Sequence, residues 1–148
     1  MRLVPGSKGS PEAWMHKRGL GVYEAVIYDD MAQQDALQNT FRVTNGNYVG
    51  PLLGIWCGAS KSRYVFRTST QSAWQVSSIN RSAGLHVLTM EVTEADITMK
   101  IDGVTVAVDT AFDTSAYFRC GFMGYWKSGL PSSDFGTALV KSLSFTPA

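Results

Sequence analysis

The sequence predicts an all-β domain, an antiparallel β-sandwich of two sheets, and three observations support this fold class. Short runs rich in β-branched and aromatic residues recur at regular spacing along the chain. Several runs alternate apolar and polar residues, which is typical of strands with one face on a core and one in water. Helical periodicity is nearly absent, because its one candidate, Met31 to Gln38, is too short for a stable helix.

Length and composition are those of one globular domain. The 148 residues are 45% hydrophobic and 17% charged, which is too apolar and too weakly charged for a disordered chain. The formal net charge of +1 and the lack of a basic run argue against a nucleic-acid partner. No apolar run approaches the roughly 20 residues that cross a bilayer, and no secretory signal is recognised. We predict a flexible segment over residues 1–16 and one sandwich domain over residues 17–148.

Ten strands are predicted in order along this domain, and Gly, Asn, Ser and Asp separate them. Asp102-Gly103 lies between two of them and favours a type I′ hairpin, whose two central residues need positive φ. The predicted strands are VYEAVIY (22–28), TFRVT (40–44), LLGIWC (52–57), RYVFRTS (63–69), AWQVSSI (73–79), HVLTMEV (86–92), ITMKI (97–101), VTVAV (104–108), FRCGFMGYW (118–126) and ALVKSLSF (138–145).

The alternation within residues 63–69 assigns a role to each face of that strand. Tyr64 and Phe66 share one face, which is the natural core face. Arg63 and Arg67 share the other face and are predicted to lie in water. A wet face with two arginines is suited to an acidic or hydroxylated ligand, or serves only to solvate the sheet.

"NRSAGLHVLTMEV" followed by "ITMKIDGVTV" resembles the concanavalin A-like lectin/glucanase superfamily, which includes laminin-G-like modules and laminarinase-type glycoside hydrolases. Arg81, Gly84, His86 and Asp102-Gly103 match its usual pattern, with Leu85 where Trp is usual. "KRGLGVYEAVIY" and "GFMGYW" are similar to its early and penultimate strands. The resemblance implies a jelly roll of concanavalin A-like type and favours an extracellular or periplasmic location.

Catalytic residues are not assigned from the sequence. Hydrolases of the superfamily carry Glu-x-Asp-x-x-Glu on one strand, but here Glu94-Ala95-Asp96 falls in a loop and Met99 replaces the third acid. No motif supplies a nucleophile for the two histidines, and no Ser-His-Asp arrangement is expected. We therefore predict a non-catalytic binding module. The alternatives are a divergent glycoside hydrolase or lyase, and a structural module that oligomerises through a sheet edge.

A glycan is the expected ligand, bound on one face of the sandwich. Apolar sugar faces stack on aromatic rings, while planar polar side chains capture hydroxyl groups, although aromatic residues in strands also build cores. A homodimer through an unpaired sheet edge is a further possible partnership. The candidate ligand-binding residues are Glu24, Trp56, Arg63, Arg67, Trp74, Tyr125 and Trp126.

The resemblance also implies a structural calcium ion, for which Asp134, in the loop before the last strand, is the candidate ligand. Calcium takes six to eight oxygen ligands, so several acids or carbonyls must converge there. The other acidic loop pairs, Asp29-Asp30 and Asp109 with Asp113, are interpreted as solvent-facing turn acids.

Two cysteines and one histidine are interpreted as structural. Cys57 and Cys120 each lie in an apolar segment and are predicted to be buried thiols, with a bridge between strands as the alternative. His86 shares a strand face with apolar residues and is predicted to lie at the core edge, hydrogen-bonded to a neighbouring loop. No cluster of zinc ligands is found.

Overall fold

The chain folds into two antiparallel β-sheets packed face to face. The structure, a computed structural model, describes residues 2–3, 12–15, 19–33, 37–45, 49–125 and 138–148. These ranges contain twelve strands and no helix. The strands are β1 (Arg2–Leu3), β2 (Glu12–Met15), β3 (Gly21–Asp29), β4 (Gln38–Thr44), β5 (Leu52–Trp56), β6 (Arg63–Arg67), β7 (Gln75–Asn80), β8 (Gly84–Val92), β9 (Ile97–Ile101), β10 (Val104–Asp109), β11 (Arg119–Tyr125) and β12 (Ala138–Pro147).

Each sheet contains six strands. The back sheet has the order β1-β12-β3-β8-β9-β10, and the front sheet has the order β2-β11-β4-β5-β6-β7. All described strand pairs are antiparallel. Strands distant in sequence, such as β12 and β3, lie side by side. The chain passes from one sheet to the other several times, for example between β3 and β4 and between β7 and β8. The predicted two-sheet antiparallel sandwich is confirmed.

The ten predicted strands correspond to β3 through β12, and β9 has the predicted bounds. The N-terminal segment differs from the prediction, because β1 and β2 lie within residues 1–16. β1 pairs with β12 and β2 pairs with β11, so this segment supplies an edge strand to each sheet. Backbone N–H and C=O groups can join a sheet edge whatever the side-chain pattern, which explains why composition missed these strands.

Alternate residues of both sheets meet in one core. In β3, Tyr23, Ala25 and Ile27 are buried, whereas Val22 and Glu24 lie on the outer face. Fully burying a large apolar side chain is worth roughly 1.5–3 kcal/mol, so this core supplies most of the drive to fold. The largest fully buried side chains are Tyr23, Tyr64, Phe41, Phe122, Leu53, Leu88, Met90, Ile97, Met99, Ile101 and Val43.

Two local predictions are confirmed. Asp102 and Gly103 have φ angles of 48° and 80°, the positive values that the hairpin requires. Cys57 and Cys120 are both buried free thiols. Burial raises the pKa of each thiol, because a thiolate would lose its hydration. In the part of the chain that the structure describes, no helix has the length and apolar character to span a bilayer.

Candidate functional site

The outer face of the front sheet gathers most of the candidate binding residues. Backbone pairing places Arg42, Leu52 and Arg67 in one row across β4, β5 and β6. Further along β5, Trp56 pairs with Gln38. These side chains lie on the face opposite the core, where Arg42 and Leu52 are nevertheless buried and Arg67 and Trp56 are partly exposed.

Two tryptophans stack on this face. Trp56 ends β5 and Trp74 directly precedes β7, so they come from either side of β6. Their ring centroids lie 5.9 Å apart and the ring planes are inclined by 14°. The Arg67 guanidinium carbon lies 5.4 Å from the Trp74 ring centroid, which is a cation–π contact. All three residues are partly exposed, and we call them the tryptophan platform.

A tight turn fixes the position of Trp56. The Trp56 carbonyl oxygen accepts hydrogen bonds from the N–H groups of Ala59 and Ser60, each 3.1 Å long. Gly58 lies against the indole, where a Cβ atom would come within 2.8 Å of ring carbons. Packed carbon atoms prefer about 3.5–4.0 Å, so only glycine leaves room for the ring in this position.

The face assignment predicted for β6 is confirmed. Tyr64 is fully buried and Phe66 packs against the core. Arg63 is exposed and Arg67 is partly exposed on the outer face. The structure therefore brings together four predicted ligand-binding residues, namely Trp56, Arg63, Arg67 and Trp74, on one side of one sheet.

Glu24 lies on the other side of the sandwich. It belongs to β3 of the back sheet, where it pairs with Thr89 on one side and Ser144 on the other. Glu24 therefore does not lie on the same face as Trp56 and Arg67. Alternation correctly indicates that Glu24 faces away from the core, but it cannot indicate which sheet β3 joins.

Three further candidates, Tyr125, Trp126 and Asp134, are described only in part or not at all. Tyr125 ends β11, and its backbone pairs with Gln38, the residue that also pairs with Trp56. Trp126 and Asp134 lie outside the described residues, so their roles stay predictions. Within the described ranges, no group of three or more His, Cys, Asp or Glu side chains is placed to hold a metal ion.

β4, β5, β6 and β7, the strands around the tryptophan platform, contain no Asp or Glu. On the side of β6 away from the core lie Arg63, Val65 and Arg67, of which Val65 is fully buried. Glu94 and Asp96 instead lie between β8 and β9 of the back sheet, where Glu94 is exposed. The Thr93 hydroxyl donates a hydrogen bond to Asp96 Oδ1 at 2.9 Å and caps this turn. The interpretation of these acids as a solvated turn is confirmed.

A groove of about 510 Å³ on the outer face of the back sheet has three carboxylates in its lining, Glu24, Glu91 and Asp102. Glu91 pairs with Lys100, and Asp102 pairs with His86. Glu24 is thus the one carboxylate of the groove without an ion pair among the described residues. Glycoside hydrolysis commonly needs two carboxyl groups that flank the scissile bond, so this groove, rather than the tryptophan platform, is where a divergent hydrolase would have its carboxylates.

Ser82, His86 and Asp102 come together, although no Ser-His-Asp arrangement was expected from the sequence. The Ser82 hydroxyl lies 3.3 Å from His86 Nε2, and His86 Nδ1 lies 2.7 Å from Asp102 Oδ2. This contact order is that of a catalytic triad, but Nε2 also lies 2.7 Å from the Ser82 carbonyl oxygen. A carbonyl only accepts, so Nε2 must carry a proton and cannot remove one from the hydroxyl. The prediction of a structural histidine bonded to a neighbouring loop is confirmed.

The two acceptors at His86 favour its charged form. Burial disfavours the imidazolium, but the hydrogen bonds to Asp102 and to the Ser82 carbonyl outweigh it and raise the pKa of His86. The folded chain therefore holds this proton more tightly than the unfolded chain, in which the pKa is about 6.5.

We expect the free energy of unfolding to fall as pH rises. The contribution of His86 is complete below about pH 6.5 and is lost as pH passes through its raised folded-state pKa. Urea unfolding between about pH 6 and pH 9 measures this slope, and Asp102→Asn is expected to flatten it. A folded-state His86 NMR titration midpoint at or below that of the unfolded chain would contradict the expectation.

A buried ion pair closes one end of the sandwich. Arg81 Nη2 lies 2.7 Å from Asp29 Oδ1, and Arg81 Nε lies 2.9 Å from Asp29 Oδ2, with both side chains almost fully buried. The Tyr64 hydroxyl donates to Asp29 Oδ2 at 3.1 Å, which joins the front sheet to the back sheet. Burial disfavours the Asp29 carboxylate, but the Arg81 guanidinium outweighs it and holds the pKa below its usual value.

Two acids interpreted as solvent-facing turn residues are buried, so that interpretation is wrong for both. Asp29 continues the inward series of Tyr23, Ala25 and Ile27, and this alternation is the signal that could have indicated its burial. Asp109 ends β10 and accepts hydrogen bonds from the Ser69 N–H and hydroxyl groups, at 2.6 and 3.0 Å. Ser69 is 40 residues away in sequence, so no local pattern indicates this contact, although Asp109 also accepts from the nearby N–H groups of Ala111 and Phe112.

Comparison with known proteins gives structural similarity alone. No protein-family model matches the sequence, and no curated protein matches it at a significant level. A solved structure of Crh5 transglycosylase in complex with NAG has a TM-score of 0.68 and 14% identity, covering 94% of this chain and 69% of that chain. A β-1,3-glucanase from Mycobacterium marinum has a TM-score of 0.54 and 15% identity, covering 86% of this chain and 64% of that one.

Smaller lectins are similar as well. A tetrameric galectin from the ball sponge Cinachyrella sp. has a TM-score of 0.55 and 10% identity, and the match covers 93% of this chain and 99% of the galectin. The chain thus spans about two thirds of the two enzyme chains but nearly all of the galectin. Similarity at these identities concerns the fold, and it confirms the jelly roll that the sequence resemblance implies.

Proposed function

We propose that this chain, a sandwich of the concanavalin A-like lectin/glucanase fold, is a non-catalytic carbohydrate-binding module that binds glycan on the outer face of its front sheet. The observation that carries the proposal is the tryptophan platform beside exposed Arg63. Stacked indoles offer a flat apolar surface for the C–H face of a sugar ring, and arginines donate hydrogen bonds to its oxygens.

The composition of this face favours binding over hydrolysis. The charged side chains around the tryptophan platform are Arg63 and Arg67, and β4 to β7 contain no Asp or Glu. Glycosidases use a pair of carboxyl groups about 5–9.5 Å apart, which these four strands do not supply. The enzymes and lectins with similar structures support a carbohydrate ligand, and the lack of acids in β4 to β7 favours the lectin-like role at the platform.

We expect Trp74→Ala to weaken glycan binding at least about tenfold, which corresponds to about 1.4 kcal/mol. The substitution removes half of the stacking surface and the ring that orients Arg67. A glycan array, followed by calorimetry on the best ligand, measures the loss. Tyr28→Ala is the matched control, because Tyr28 is an aromatic residue that is 41% exposed on the outer face of the back sheet.

Other outcomes favour the other functions. Release of reducing ends from β-glucans by the wild-type chain would support a divergent hydrolase and contradict the proposal. No binding to any glycan, together with a concentration-dependent dimer in light scattering, would favour assembly through a sheet edge. Running the array with and without calcium tests the proposed calcium site at Asp134, which predicts stronger binding or higher thermal stability with the ion.

A further inference from the structure

We propose that the ligand of the front-sheet face is an anionic polysaccharide, one that carries carboxylate or sulfate groups. This inference rests on the proposed carbohydrate-binding function and names its substrate class. It starts from an uneven distribution of charge along the sequence. Between Asp35 and Glu91 the chain contains no Asp or Glu. The basic residues of this stretch are Arg42, Lys61, Arg63, Arg67 and Arg81.

This acid-free stretch builds the part of the front sheet that carries the platform. It contains β4, β5, β6 and β7 in full. None of these strands contributes a carboxylate to the outer face, whereas the outer face of the back sheet carries Glu24 and Glu91. Within β4 to β7 the only charged side chains are therefore arginines, whereas the back sheet carries both signs, with Glu91 paired to Lys100.

Arg63 and Arg67 are available to an anion. Neither has an ion-pair partner among the described residues, and both lie on the outer face of β6. Asp109 reaches the loop that follows β6, but it is buried and its oxygens accept hydrogen bonds from Ser69, Ala111 and Phe112. Among the residues that the structure describes, no neighbouring acid thus neutralises the charge of the two arginines.

The hydrogen-bonding character of the face favours an acceptor-rich ligand. A guanidinium group only donates hydrogen bonds, whereas a neutral sugar hydroxyl both donates and accepts. Carboxylate and sulfate groups only accept, and charge-assisted bonds to them are roughly twice as strong as neutral ones. β4 to β7 contain no carboxylates that would accept hydroxyl protons from a neutral sugar.

The spacing of the two arginines suits a polymer. Arg63 and Arg67 lie four residues apart on one strand, or about 13 Å at the strand rise of about 3.3 Å per residue. With Arg67 held over the Trp74 ring, this spacing suits two acidic groups along one chain, one at each arginine. The two indoles of the tryptophan platform would then hold a sugar ring next to the acidic group bound by Arg67.

The experiment compares polysaccharides that differ in charge but share a backbone. We expect dextran sulfate to bind at least about tenfold more tightly than dextran, or polygalacturonate at least about tenfold more tightly than its methyl ester, in affinity electrophoresis or calorimetry. The pair that responds tells sulfate from carboxylate recognition. Binding is expected to weaken strongly between about 0.05 M and about 0.5 M NaCl, because salt screens exposed charges.

Two double variants separate the arginine site from general charge attraction. Arg63→Gln with Arg67→Gln is expected to lower affinity for the anionic polymer at least tenfold. Lys100→Gln with Lys141→Gln removes the same charge from the back sheet and is expected to change affinity less than twofold. Equal losses in the two double variants would overturn the proposal.

Different results would overturn the anionic specificity and the glycan-binding function. Equal affinity for charged and neutral polymers, still lost in Trp74→Ala, would overturn the anionic specificity and leave the glycan-binding role standing. Absence of binding to every polymer and every array glycan would overturn both.

Discussion

Replacing Arg81 with alanine is expected to lower the free energy of unfolding by about 3–5 kcal/mol, because it leaves a carboxylate buried without its cation. The Arg81 and Asp29 side chains are 0% and 1% exposed, so water cannot replace the lost partner. Arg81 Nη1 also donates to the Lys61 carbonyl oxygen at 3.0 Å, and that acceptor loses its donor as well. Urea unfolding monitored by tryptophan fluorescence measures the change.

A double-mutant cycle tests the reason for that loss. Combining Arg81→Ala with Asp29→Ala is expected to cost less than the sum of the two single substitutions, because the double variant leaves no buried charge. Arg81→Lys is expected to recover little, since a lysine lacks the planar fork that binds both carboxylate oxygens. A cost below about 1 kcal/mol for Arg81→Ala, the value typical of exposed pairs, would contradict the prediction.

Replacing Gly54 with alanine is expected to destabilise the protein by roughly 2–6 kcal/mol, through backbone strain and overpacking together. Gly54 lies in β5 at the centre of the front sheet and has a φ of 151°. A Cβ atom there would lie 2.2 Å from the Asn39 carbonyl oxygen. The contact is with the backbone of β4, so no rotamer change can relieve it. Thermal unfolding by circular dichroism measures the effect.

Gly84→Ala is the matched control for this prediction. Gly84 also has a positive φ, of 124°, but a Cβ atom there would have no heavy atom within 4 Å. Gly84→Ala therefore introduces backbone strain without a steric contact. The difference between the stability losses of the two variants measures the cost of the contact with β4. A Gly54→Ala variant that does not fold meets the expectation, whereas one as stable as Gly84→Ala would refute it.

Much of the architecture could be predicted from local sequence. Ten strands were predicted because apolar and polar residues alternate at consecutive positions within a strand. The two φ values at Asp102-Gly103 follow from the turn preferences of those two residues. The outward positions of Arg63 and Arg67 followed from the buried positions of Tyr64 and Phe66.

The candidate site was predictable only in part. Trp56, Arg63, Arg67 and Trp74 were chosen for their residue types, and the tryptophan stack depends on strand order, which places β6 between β5 and β7. Glu24 was chosen on the same grounds but belongs to the other sheet. A face assignment within one strand carries no information on which sheet receives that strand.

The sequence by itself determined how the faces alternate along each strand, where the hairpin at Asp102-Gly103 turns and that the body is all β, because these properties depend on neighbours one or two residues apart. Tertiary structure alone decided which strands share a sheet, how Arg81 meets Asp29 and how Ser82, His86 and Asp102 meet. The partners in the buried ion pair are 52 residues apart. Such contacts form only when the two sheets pack. In the unfolded chain water solvates the same charged and polar groups, and packing removes that water.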